Sequence, residues 1–291
     1  QKYLGVALQV IGPDAVPLLV AELKNPDASI RLRSARAVAS MGLPGATAIP
    51  DLIDLSQSIV DSDAKAGFEG LQAMGLVGYG LVSPHLVNVL MTDLFAERRT
   101  IAARTLGIIG IPQEADGKRV LDALQSALLD PDESVCRAAH TALVKIGPPA
   151  LPRLRELLKL DEGQSSYWWA VRVMARLKAD PSLVIPKLIE LTQPGVREVK
   201  QGAFAERGTA TELLGEYAPV HLECIPVLVR LLADRDDIVS GAAQRSLALF
   251  GAAALDSVRA VLRGRNPVLR RRAVETLDAI RARTEHVPLI E

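Results

Sequence analysis

The feature that most constrains this chain is an apolar pattern that returns at nearly regular intervals. It reads VPLLVAEL from Val16, IPDLIDLS from Ile49, VNVLMTDL from Val87 and LDALQSAL from Leu121. It continues as LPRLRELL from Leu151, IPKLIELT from Ile185, IPVLVRLL from Ile225 and LDSVRAVL from Leu255. The spacings are 33, 38, 34, 30, 34, 40 and 30 residues, with a mean of about 34, a period typical of stacked helical repeats. A unit this short cannot bury its own apolar face, so each must stack on its neighbours. Apolar positions recur three, four and seven residues apart, and a sustained period of two is found nowhere. The chain is therefore expected to be all-α, without a sheet.

Each unit shares an internal grammar. Its first helix, helix A, opens with a proline in the first turn, where a missing N–H does no harm. A turn rich in Asp, Asn and Pro follows, as in NPDAS (25–29), DPDES (130–134) and DRDD (234–237). The second helix, helix B, is rich in alanine, as in VCRAAHTALVKIG (135–147). Gly42, Gly110, Gly147 and Gly251 fall where a helix end calls for positive φ. The composition agrees: 49% of residues are hydrophobic but only 3% aromatic, so helices pack closely through small side chains.

On these residues the chain resembles the HEAT-repeat proteins, in the short-repeat form of the phycobilisome-lyase-like families. Three features carry the resemblance: the helix A proline, the turn acid or amide followed by a basic residue (Asp27/Ile30/Arg31, Asp132/Val135/Arg137, Asn266/Val268/Arg270), and the closing text from Ala142 to Gly147. The tetratricopeptide and ankyrin signatures are missing. The resemblance implies an α-solenoid, a right-handed superhelix of about eight helix-turn-helix repeats. It also implies bonds between the turn acid and the arginine of neighbouring repeats, a ladder broken where one member is lacking.

The expected organisation is one solenoid over 1–291. A leading half-repeat helix covers 1–12, a first four-unit block 13–147, a second block 148–283 and a tail 284–291. YLGVALQVIG (3–12) reads as a helix B without its helix A, as a cap or as part of a longer solenoid. Because Gln1 is not an initiator methionine, an upstream segment is expected, a signal peptide among the candidates. IPDLIDLSQ (49–57) and IPKLIELTQ (185–193) match four units apart, as do Phe68 with Phe204 and His85 with His221. Tandem duplication of a four-unit block explains this, and a shared consensus is the alternative. The two longest units are expected to place extra residues in loops near 75–85 and 194–221.

Lysine plus arginine and aspartate plus glutamate each total 34. Bulk charge therefore points to neither nucleic acid nor a membrane. Cys136 and Cys224 stand alone, which favours a reducing, cytoplasmic location, and no apolar run suggests a bilayer span. Four scattered histidines have no metal-ligand spacing. Neither a catalytic constellation nor a cofactor motif is found, so the chain is read as non-enzymatic, without metal or cofactor. SSYWWAVRVMARL (165–177) gathers three of the ten aromatic residues. Trp168 and Trp169 fall on opposite flanks of its core stripe. With Arg172 and Arg176 they form a candidate binding patch, packing between repeats being the other reading. Arg265, Arg270, Arg271 and Arg272 form a second candidate patch. His85 and His221 are expected just before helix A, as capping or hydrogen-bonding groups. The functional expectation is a scaffold that binds a protein partner, as a helix or extended segment, on its concave surface. The alternatives are a DNA-binding solenoid resembling the alkylpurine glycosylases and a bilin lyase or chaperone that holds a tetrapyrrole.

Overall fold

A computed structural model describes residues 12–111, 114–158, 165–194 and 203–285. The expected half-repeat over 1–12, the tail 284–291 and part of the long loop within 194–221 fall largely or partly outside these residues. Among the described residues every regular element is helical. The helices are α1 (Val16–Glu22), α2 (Ala28–Ser40), α3 (Ile49–Ser56), α4 (Asp61–Met74), α5 (Tyr79–Thr92), α6 (Ala96–Ile109), α7 (Glu114–Ser126) and α8 (Glu133–Ile146). They continue as α9 (Leu151–Leu157), α10 (Ser165–Arg176), α11 (Pro181–Leu191), α12 (Ala203–Gly215), α13 (Cys224–Leu231), α14 (Asp237–Phe250), α15 (Leu255–Val261) and α16 (Pro267–Glu285). Odd numbers are helices A and even numbers helices B. The fold is an all-α solenoid.

The chain divides into two compact units, residues 1–159 and 160–291. In the first, α2, α4, α6 and α8 stack in series, and α3, α5, α7 and α9 form a second row. In the second, α10, α12, α14 and α16 stack in the same way, with α13 beside α15. Alanine makes the stacking close: Ala35, Ala102, Ala103, Ala139, Ala242 and Ala243 are fully buried at these contacts.

The helix boundaries follow local chemistry. Asp27, Asp132 and Asp236 cap α2, α8 and α14 by accepting from the N–H of Ser29 (2.7 Å), Ser134 (2.8 Å) and Ile238 (2.8 Å). Gly147 ends α8 at φ 85° and ψ −145°. That is an extended mirror-image conformation rather than left-handed helix, and it is open essentially to glycine.

Two expectations about the long units are corrected. GLVGYGLVSPH (75–85) does not loop out; from Tyr79 it is helix, with Pro84 inside α5. His85 therefore sits within helix A, not before it. The added length of this unit is absorbed by extra helical turns because the added residues can be buried there, as Tyr79 and Val82 are. The other long stretch, 194–221, is described only in part: α12 covers Ala203–Gly215, and turns follow it. Asp237–Val261 has the length and mean hydropathy (1.3) of a membrane span, which corrects the expectation that no apolar run is long enough. It is not one helix, however: Gly251 breaks it at φ 55°, and its buried residues pack on α12 and α16.

Candidate functional site

Within each unit the B helices pack on one another in series, and α2, α4, α6, α8, α12, α14 and α16 each pack on the helix A before them. One narrow stripe is left for solvent. On α2 the stripe carries Arg33, Arg36 and Ser40; on α6, Arg104 and Ile108; on α8, Arg137, Thr141 and Lys145. Neighbouring stripes touch within each unit. Arg36 donates to Glu69 on α4 at 2.8 Å, Arg245 on α14 to Glu212 on α12 at 2.5 Å, and Gln244 to Glu275 on α16 at 2.9 Å. The result is a surface of mixed charge along each row of B helices. These exposed pairs contribute little stability, on the order of 0.5 kcal/mol each.

Behind the stripe runs a part-buried arginine ladder. Arg31 donates to the carbonyl of Asn25 in its own turn (2.6 Å) and to Asp63 of the next pair (2.9 and 2.7 Å). Arg99 donates to the Asp93 carbonyl (2.9 Å) and grips both oxygens of Asp130 at 2.8 Å. Its guanidinium pKa is raised, chiefly by that bond. Arg207 links the Thr192 carbonyl (3.0 Å) to Asp234. Where this arginine is missing, the next pair can reach back. Arg98 donates to the Ser58 carbonyl, and Arg272 donates at 2.8 Å to the carbonyls of Leu232 and Asp234. Arg137, expected on the ladder, instead pairs with Glu133 on its own helix at 2.6 Å. The ladder position in α8 is Cys136, whose thiol donates to the Asp130 carbonyl at 3.2 Å.

The sequence-selected patches are placed as follows. Trp168 and Trp169 are 2% and 7% exposed, so neither ring is a docking surface. The guanidinium carbon of Arg172 lies 5.3 and 4.7 Å from their ring centroids. It forms the polar edge of a buried aromatic cluster. Tyr167 is buried beside them, and its hydroxyl accepts from Lys187 at 2.9 Å. Only Arg176 of this set faces solvent, paired with Glu216. A projection of one helix leaves its flanks open, whereas α10 packs on both α11 and α12. In the second patch Arg270 donates to the Gly264 and Arg265 carbonyls, and Arg272 is the ladder arginine above. Arg271 pairs loosely with Glu275 at 3.7 Å, and Arg265 is exposed. Two of these four cations are thus spent on the fold.

His85 is held by Ser56, Nε2 to Oγ at 2.8 Å, and burial lowers its pKa. His221 contacts Glu223 at 3.1 Å just before α13. Burial pushes the Cys136 thiol up to about 11 and Cys224 up to about 12, which keeps both protonated and weakly nucleophilic. Among the described residues no group of three or more His, Cys, Asp or Glu is placed to hold a metal ion.

Comparisons with known proteins agree with this geometry. Residues 83–175 match the family of HEAT repeats, and no lyase subfamily is singled out. None of the curated protein sequences matches this chain. Among solved structures, the karyopherin Kap121p bound to the extreme C-terminus of the protein phosphatase Cdc14p is similar at a TM-score of 0.60 and 14% identity, over 96% of this chain and 35% of that one. Kap121p bound to Nup53p gives a TM-score of 0.58 at 13% identity, over 99% of this chain and 36% of that one. YibA of Escherichia coli gives 0.53 at 19% identity, over 90% and 92% of the two chains. The chain thus spans about a third of the length of Kap121p. These likenesses establish the class, a helical-repeat solenoid of the HEAT-like kind.

Proposed function

We propose that this chain is a non-enzymatic scaffold that holds another protein, as a helix or an extended segment, along the exposed stripes of its B helices. The observation that carries this reading is the division of labour on those helices. The ladder residues are consumed by the fold, while Arg33, Arg104, Ile108, Thr141 and Lys145 stand in solvent, Arg33 and Thr141 bonding only to carbonyls one turn back in their own helices. A row of such stripes at repeat spacing suits an elongated partner. Kap121p, described in complex with the extreme C-terminus of Cdc14p and with Nup53p, lends support as a protein of like fold that binds other proteins.

The test is a nuclease-treated pull-down from the native source, with wild type beside an Arg104→Glu/Ile108→Glu variant whose helicity is checked by circular dichroism. A partner retained by the wild type and lost by the folded variant is the expected result. A partner indifferent to the change, or retention of nucleic acid alone before nuclease, would overturn the reading.

A further inference from the structure

Among the described turns between helices A and B, those of pairs one, four and seven share one device, and those of pairs two and three break its second half. In pairs one, four and seven an Asn or Asp accepts the backbone N–H two residues on: Asn25 from Asp27 (2.9 Å), Asp130 from Asp132 (2.9 Å) and Asp234 from Asp236 (3.0 Å). The second aspartate then caps helix B. Pairs two and three keep the first half. Ser58 accepts from the N–H of Val60 (3.2 Å), and Asp93 from that of Phe95 (2.8 Å). They abandon the second half: Val60 and Phe95 occupy the cap position, and α4 and α6 have no side-chain cap. The residue between is also changed. Pro26, Pro131 and Arg235 are replaced by Ile59 and Leu94, which are 93% and 91% exposed, beside Phe95 at 60%. Two adjacent turns thus give up a capping bond and hold apolar side chains in water, a local conflict of the kind that marks functional sites.

Between the first turns of α4 and α6 lies a groove of about 460 Å³. Its floor is Ala64, Phe68 and Ile101, and the Phe95 ring is one wall. Arg98 lies 5.0 Å over that ring, and its charge is spent on Asp93 (3.8 Å) and the Ser58 carbonyl. Of the lining charges that remain, Asp61 and Glu97 are exposed carboxylates without an ion-pair partner among the described residues, against one ammonium, Lys65. The groove is therefore apolar within and acidic at its rim.

We propose that this notch docks a short basic-flanked apolar segment of a partner protein. One large aliphatic or aromatic side chain enters beside Phe95, and an adjacent lysine or arginine meets Asp61 and Glu97. The volume admits one or two side chains, not a helix some 10 Å across. The proposal rests on the scaffold reading and specifies a contact point for it.

The experiment is to pan a random peptide library displayed on phage against the full chain, alongside a Val60→Asp/Phe95→Asp variant. Those substitutions restore the aspartate of pairs one, four and seven, so the variant should melt no lower than wild type, and lost binding cannot be lost folding. Enriched peptides are expected to carry Leu, Phe or Met next to Lys or Arg. They should bind the variant about tenfold more weakly and an Asp61→Asn/Glu97→Gln variant about threefold more weakly. Peptides that bind wild type and the cap-restored variant equally would overturn the notch while leaving the B-helix stripe standing. Acidic peptides, or no enrichment over the variant, would overturn it as well. Failure of the scaffold reading itself shows separately, in the Arg104→Glu/Ile108→Glu pull-down.

Discussion

The contact of α6 with α8 in the first unit and that of α12 with α14 in the second are the same joint built twice. Arg99 and Arg207 occupy equivalent positions, as do their acceptors Asp130 and Asp234. Eight residues on from each arginine, Gly107 and Gly215 let the neighbouring helix approach, at Ala142 and Ser246, each twelve residues beyond the acceptor. The joints differ in what secures the far turn. In the second unit Arg272 reaches back to the Asp234 carbonyl; in the first, the Asp130 carbonyl receives the thiol of Cys136. A repeat can therefore lose its arginine when some other donor satisfies the same carbonyl. The requirement is on the carbonyl, since a buried acceptor without a partner is costly, and not on the residue type.

The largest effect is expected where the two units differ most. Trp168 fills a buried site in α10 whose sequence counterpart in α2 is the half-exposed Leu32. Trp168→Ala should cost about 3–5 kcal/mol and Leu32→Ala about 1 kcal/mol, read from urea unfolding. Equal losses would mean that α10 is no more dependent on its aromatic cluster than α2 is on Leu32.

Next come the ladder arginines. Arg99→Ala leaves the part-buried Asp130 with the Asp132 N–H but without its charge partner, at about 1–3 kcal/mol. Arg207→Ala should cost somewhat less, because Arg99 grips both carboxylate oxygens at 2.8 Å whereas the second contact of Arg207 is 3.4 Å. A reversed order would break the equivalence of the joints. The glycines are a smaller test, about 1–3 kcal/mol each for substitution by alanine. A Cβ on Gly107 would meet the Cα of Ala142 at 2.5 Å, while one on Gly215 first meets the Ser246 hydroxyl at 2.5 Å. Backbone yields less than a side chain, so Gly107→Ala should be the worse of the two in thermal melts.

The smallest effect concerns pH. Burial lowers the pKa of His85 below its ordinary 6.5, so the unfolded chain binds its proton more readily. Stability should be level above about pH 6.5 and fall as pH drops through the window beneath it. His85→Gln, which retains a donor for Ser56, should flatten that slope in melting curves taken from pH 5 to 7.5. An unchanged slope would assign the acid sensitivity elsewhere.

Sequence alone determined the helical-repeat class, the eight helix pairs, the turns and the terminating glycines. Each of these is a local matter: a 3.6-residue period, an aspartate two residues ahead of an N–H, a backbone angle only glycine adopts. Text similarity was less reliable for roles. The AER shared by 95–100 and 204–209 pairs Arg98 with Arg207, whereas the ladder pairs Arg99 with Arg207, one position out of step. Tertiary structure alone decided which side chains stay in solvent. Trp168 and Trp169 are buried, Arg270 and Arg272 are taken up by backbone carbonyls, and Ile59, Leu94 and Phe95 remain in water. The reason is geometric: in a solenoid the burial of a residue depends on the helices before and after its own, and on how closely small residues let them approach.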